Sequence, residues 1–438
     1  MSVGKRALVF AVLGLTAFWP VLRLGFQLDD HVTIEANPQL RQWSAATLHD
    51  DVHPTRRSTD DLYYRPLQSL VNRLEYTAWG LRPFGYHLVN LLLHIANAAL
   101  QCELLLAVGC PPLAATVACA LFVVHPIIVS ELMMASGLPE LLSLFFCLLA
   151  LLALLRPGRA AALLGIGAYA LALLAKESAL ALPLYYPLLA WVRGSGTFSQ
   201  RRWIGTVGVT LAFLGLRAWG LAGVGLVLPT PHAPWFLVTR VPVALLRYAL
   251  LAAVPWPLHA YRLIPAWNPL WAWGAAALAV ALYCRARKPR WATACALWAL
   301  LAFLPKLPLL AAGYYMLEHW LYPALIAGLL PLGVWIARAH RSGSPWLQRL
   351  AMGGFVGLLA VGIGLSQFYA AVRGTDEQNY RWSLRYTSAS PLLFNLGLIC
   401  LKTGRYAEAA RYIAPVHALY PDDPNIAQAY ALALRMLQ

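Results

Sequence analysis

Apolar runs of roughly 18 to 22 residues recur from one end of the chain to the other, the length at which a helix crosses the hydrocarbon core of a bilayer. They fall near 8–26, 84–106, 113–130, 138–155, 160–175, 178–192, 203–222, 268–284, 291–304, 320–337 and 350–370. The pattern predicts an all-α polytopic membrane protein of about eleven spans. Residues 234–267, broken by Pro242, Pro255, Pro257 and Pro265, are expected to enter and leave on one side as an interfacial or half-buried helix. Two stretches stand apart from this rhythm. Residues 27–81 are polar and punctuated by Asn37-Pro38, His53-Pro54 and Arg65-Pro66, a length that connectors rarely reach without a function. After Val372 the apolar runs stop. Pro391-Leu-Leu-Phe-Asn-Leu-Gly397, Gly404-Arg-Tyr-Ala-Glu-Ala-Ala410 and Tyr420-Pro421 then fit one tetratricopeptide repeat, a helical hairpin with small residues where its helices cross. One repeat cannot bury its own face, so flanking helices near 379–389 and 425–437, or the membrane part, are expected to cover it. Two domains follow, a transmembrane domain over 1–372 and a small helical domain over 373–438.

Charge orients this arrangement. Charged residues are only 12% of the 438, yet the net charge is +16, and the basic residues cluster between apolar runs at Arg156 and Arg159, Arg193 to Arg202, and Arg285 to Arg290. Such turns stay in the cytoplasm, as does Lys5-Arg6 ahead of the first run, which lacks a small-x-small cleavage site and reads as an uncleaved span. The long loop and the C-terminal domain then share the opposite face, the periplasmic side of an inner membrane. No basic stripe with interleaved aromatics lies on a soluble segment, which argues against nucleic acid as a partner and for membrane lipids and phosphates. The seven cysteines mostly fall inside apolar runs without metal-knuckle or disulfide spacing and read as small core residues.

In so apolar a chain, the adjacent carboxylates of Asp29-Asp30-His31, at the end of the first run, are costly unless solvent, a cation or a substrate compensates them. They are the candidate catalytic pair; the bland reading is a solvated helix tip. Arg65, Arg73 and Lys176 lie on the same predicted face, where inside bias disfavours cations, and a guanidinium can grip a phosphate with two prongs. His87, Asn90 and His94 recur at i, i+3 and i+7, so one side of the second span is polar; that side lines a cavity or bonds to neighbouring helices. His125, Glu131, Glu140, Glu177, Glu318 and His319 fall at run boundaries on this face, with Tyr64 beside Arg65. Together they predict one outer cavity. No third ligand accompanies the two histidines, so no zinc site is expected, although Asp-Asp-His offers hard ligands compatible with a divalent cation.

The order of these motifs is that of a known family. Asp29-Asp30 with Asn37-Pro38, Tyr64-Arg-Pro-Leu67, Asn72-Arg-Leu-Glu-Tyr76, Gly85-Tyr-His-Leu-Val-Asn-Leu-Leu-Leu-His94, Val124-His-Pro126, Ala175-Lys-Glu177, Glu318-His-Trp-Leu-Tyr322 and a terminal repeat resemble the transmembrane and tetratricopeptide repeat O-mannosyltransferases and their bacterial relatives, of the GT-C glycosyltransferase superfamily. The resemblance implies transfer of a sugar, with inversion, from a polyprenyl phosphate to an acceptor hydroxyl on the outer face. The acceptor would be a serine or threonine of an exported protein, or else a lipid or a growing glycan. It implies Asp29 as general base, with Asp30 orienting the acceptor or a cation, and superfamily members that work without a metal. For the leaving phosphate, Arg65 is the first choice, then Lys176 and Arg73. A transporter or flippase of lipid-linked glycans would instead place charges near the bilayer midplane and show inverted repeats, which the sequence lacks.

Overall fold

The computed structural model describes residues 1–47, 64–194, 196–220, 233–264, 268–285, 290–312 and 315–438; His53-Pro54, Pro265 and residues 286–289 of the third basic turn lie outside them. The architecture is helical, with a single pair of two-residue strands, Arg262–Leu263 against Tyr315–Met316, among the described residues. Seven described helices are long and apolar enough to cross a membrane, eight if the bent pair Pro112–Val124 and Pro126–Leu132 is one span. A helix also lies over each remaining predicted run. Arg159–Ala175, Leu182–Arg193 and Pro269–Arg285 have 17 residues or fewer, and Gln200–Gly220 carries Arg201, Arg202 and Arg217.

The proline-broken piece differs from expectation. Ala233–Ala253 is one continuous helix through Pro242, and Trp235–Ala253 is long and apolar enough to span. An internal proline removes one hydrogen bond, and a well-packed helix tolerates that loss. Trp273 Nε1 donates to the Val238 carbonyl and Tyr248 Oη to the Leu317 carbonyl, tying one half to helix Pro269–Arg285 and the other to the residue before Glu318.

What positions the site is a set of helix breaks. The third apolar run stops at His125-Pro126 with a 47° bend, because proline offers no N–H and His125 Nδ1 caps the Ile127 amide instead. A short turn, Ala135–Gly137, then leads into Leu138–Leu154. Breaks also occur at Lys176, between Arg159–Ala175 and Glu177–Ala181, at Leu304–Lys306, and at Glu318–Ala324. Backbone groups freed at such breaks need partners where water is scarce.

The C-terminal segment opens with Asp376–Ser383, followed by the hairpin Ser390–Lys402 and Tyr406–Leu419 and a third helix, Pro424–Arg435. Gly397 permits the close crossing: a Cβ there would lie 2.5 Å from Ile413 Cγ1. Ile413, Val416, Ile426 and Ala429 form the core between the hairpin and the third helix.

Candidate active site

The loop after the first helix is fastened before it is functional. Asp30 is fully buried, and its carboxylate accepts the amides of Gln27 at 3.0 Å, Ala135 at 3.0 Å and Ser136 at 2.7 Å. Burial pushes its carboxyl up, while those N–H donors favour the charged form. Asp30 thus clamps the loop to the turn after the third run and does not line the neighbouring cavity. Its neighbour does the opposite. Asp29 is exposed at the mouth of a cavity of about 190 Å³. Protein crowds it on its other sides, and this loss of water raises its carboxyl above the usual range, with Arg65 pulling it down.

The cavity gathers side chains from every break: Asp29, Arg65, Glu131, Lys176, Glu177 and Lys306, with Ser136, Ser178 and His319 between them. Arg65 grips Glu177 with two prongs, Nη2 to Oε1 at 2.6 Å and Nε to Oε2 at 3.1 Å. Against the effect of burial, Arg65 and Lys176 hold the Glu177 carboxyl at about 2. Lys176 and Lys306 converge from different helices on Glu140, at 2.6 and 3.3 Å. The carboxylates keep three cations extended toward one space, an arrangement suited to a ligand with developing negative charge.

Of the predicted residues, Asp29, Arg65, Glu131, Lys176, Glu177 and His319 line this space. The others do not. His87, Asn90 and His94 are buried hydrogen-bonding groups: His87 Nδ1 meets the Leu132 carbonyl at 3.0 Å, Asn90 Nδ2 donates to Met134 at 2.9 Å, and His94 Nε2 meets Val123 at 3.1 Å. The polar face of the second span therefore satisfies carbonyls released by the break in the third, which is why it is polar. Arg73 is fully buried; it donates to the carbonyls of Gln39 and Gln42 and to Thr47 Oγ1, holding the loop onto helix Pro66–Trp79. Tyr64 is buried near Phe213, and His125 Nε2 meets the Ala252 carbonyl at 3.3 Å. Glu318 sits in a separate buried cluster, with Arg262 and Arg373 each at 3.1 Å. Lys306, Ser136 and Ser178 are cavity residues without a sequence expectation; the signal for Lys306 is the pair Pro305 and Pro308, which interrupts an apolar run around one lysine.

A second fastening comes from the C-terminal segment. Asp376 accepts the Leu28 amide at 2.9 Å with Oδ1 and meets His31 Nε2 at 2.9 Å with Oδ2, while Gln27 Nε2 donates to the Gly374 carbonyl at 2.8 Å. His31 Nδ1 meets Glu35, so the ring bridges two carboxylates and lies outside the cavity. Leu28, held at φ +53°, is in a conformation that costs about 1–3 kcal/mol unless its surroundings enforce it. Burial disfavours the charged His31 ring, but the two carboxylates outweigh this and raise its pKa. A raised histidine stabilises below its unfolded value, and the effect is lost as pH rises through the folded value. Amides of Gln27 to His31 should therefore show more protection from hydrogen exchange at pH 6 than at pH 8 after correction for intrinsic rates. His31→Gln should erase the difference; an unchanged difference would mean that the bridge does not hold the loop.

No family model matches the chain. Over 159 residues it is 35% identical to protein O-mannosyl-transferase tmtc2 of Xenopus laevis, an alignment taking in 31% of this chain and 18% of the relative. Over 160 residues it is 33% identical to protein O-mannosyl-transferase Tmtc3 of Drosophila melanogaster, with 31% of this chain and 17% of the relative covered. The matches thus span less than a fifth of the length of these relatives. Among solved structures, ArnT from Cupriavidus metallidurans bound to undecaprenyl phosphate superposes with a TM-score of 0.48 at 15% identity, over all of this chain and 76% of that one. Over 31% of its length, then, the chain is similar in sequence to the O-mannosyl-transferases of the transmembrane and tetratricopeptide repeat group.

Proposed function

We propose that this chain is a membrane glycosyltransferase that moves a sugar from a polyprenyl phosphate to an acceptor hydroxyl, with inversion, on the periplasmic face of an inner membrane. One observation carries the reading: Asp29 shares a single cavity with Arg65, Lys176 and Lys306. The acceptor hydroxyl loses its proton to Asp29 as it attacks the anomeric carbon, and the bond to phosphate breaks on the opposite face of the sugar. The departing phosphate gathers negative charge, which Arg65, Lys176 and Lys306 oppose. Glu177 and Glu140 hold those cations in place, so little reorganisation accompanies the step. The acceptor that the relatives' names favour is a protein serine or threonine. Residues 373–438 form a small helical domain on the same face, where Asp376 reaches the catalytic loop.

Intact-mass comparison of exported proteins and lipids from cells with and without the chain tests this. At least one acceptor should carry an added mass of one sugar only when the chain is present. Identical masses across both classes would overturn the proposal.

A further inference from the structure

Glu131 is a buried carboxyl that has no ion-pair partner among the described residues. Its side chain is 2% exposed, and its Oε1 is sealed from solvent without a hydrogen bond. Among the described residues no cation lies within ion-pair distance of it, since both nearby lysines turn to Glu140. Gly137 packs closely against its backbone: a Cβ at that position would lie 2.0 Å from the Glu131 carbonyl oxygen and 3.2 Å from Oε2. A second cavity-lining group, Ser178 Oγ, is also sealed and without a partner. Unpaired polar atoms of this kind are costly unless a ligand completes them.

The chemistry of that ligand is restricted. Lys176 and Lys306, the cations suited to a phosphate, turn to Glu140 and not to Glu131, so this end offers a carboxyl and a hydroxyl and no cation among the described residues. No group of three or more histidine, cysteine, aspartate or glutamate side chains among the described residues could hold a metal ion. The cavity of about 190 Å³ has room for about six waters, the scale of one monosaccharide ring. What remains is a neutral group rich in O–H donors. We infer that Glu131 accepts hydrogen bonds from hydroxyls of the transferred sugar, with Ser178 completing the subsite, and that Glu131 thereby sets which sugar the protein accepts. This inference rests on the proposed glycosyl transfer and extends it. The sugar ring lies between Glu131 and Asp29, and its phosphate points to the lysine and arginine side.

The test uses the full chain in vesicles with polyprenyl phosphates carrying mannose, glucose, galactose or arabinose, and with bare polyprenyl phosphate. For the donor that the wild type prefers, Glu131→Gln should raise KM about 10- to 100-fold, the range expected when a buried hydrogen-bonding group loses its match to the ligand. Binding of bare polyprenyl phosphate should stay within twofold, and the preference among the four sugars should narrow. Ser178→Ala, which removes only a hydroxyl, should raise KM for the same donor by a smaller factor. Equal weakening of the preferred donor and the bare lipid would overturn the subsite, as would an unchanged KM and sugar preference in Glu131→Gln. A wild type that binds and transfers none of the four sugars would instead remove the glycosyl-transfer reading beneath it.

Discussion

Asp29→Asn should lower kcat about a thousandfold while leaving donor binding within about threefold, since a general base contributes on the order of 10²–10⁴ to the chemical step and little to the ground state. The asparagine keeps the size of the side chain and its place beside Arg65, so the loss isolates proton acceptance. Asp29 is unlike its neighbour in this respect. The Asp30 carboxylate is occupied by three backbone amides, and its removal should damage the fold of the loop before it touches the chemistry. The pH profile of kcat carries a second expectation. Crowding raises the Asp29 pKa, so the acid limb of the wild-type profile should lie above the ordinary aspartate value of about 3.9. Activity should fall as pH drops through that limb, because the protonated acid cannot accept the acceptor's proton. Asp29→Asn should lose the limb along with the rate. An asparagine variant within tenfold of wild-type kcat would mean that another group takes the proton.

The helical pattern and the side-chain chemistry were legible to different degrees. Runs of apolar residues bounded by proline and arginine mark the helices well, because bilayer thickness demands length and every backbone group needs a partner within the segment. Asp29, Arg65 and Lys176 were legible because charge at a run boundary on the disfavoured face has few structural excuses. The roles of His87, Asn90 and His94 were not. Their spacing shows a polar stripe, but only the bend at Pro126, one helix away, reveals that carbonyls rather than substrate occupy it. Arg73 looked like a phosphate ligand for the same reason. A guanidinium reads identically in sequence whether it meets a phosphate or the carbonyls of Gln39 and Gln42. Lys306 was hidden by its solitude, and Arg373 by its place at the boundary where the apolar pattern ends.

Glu318→Ala should destabilise the protein by about 3–5 kcal/mol, the cost of leaving buried charges without their counterion. Its carboxylate accepts from Arg262 Nη2 at 3.1 Å, Arg373 Nη1 at 3.1 Å, Ser130 Oγ at 3.0 Å and the His259 amide at 2.5 Å. Both guanidiniums are themselves buried, so truncation strands two positive charges and an amide N–H together. The connections make the effect more than local. Arg262 belongs to the strand pair, Ser130 to the broken third run, and Arg373 to the junction from which Asp376 reaches the loop at Leu28. The variant should therefore unfold several degrees earlier in detergent, and limited proteolysis should cut near 373–390 while the membrane helices stay protected. Replacing Glu318, Arg262 and Arg373 together by leucine or methionine should recover most of the midpoint, because well-packed apolar groups often match a buried ion cluster. A single Glu318→Ala variant with wild-type midpoint and cleavage would show that the cluster does not hold the C-terminal segment in place.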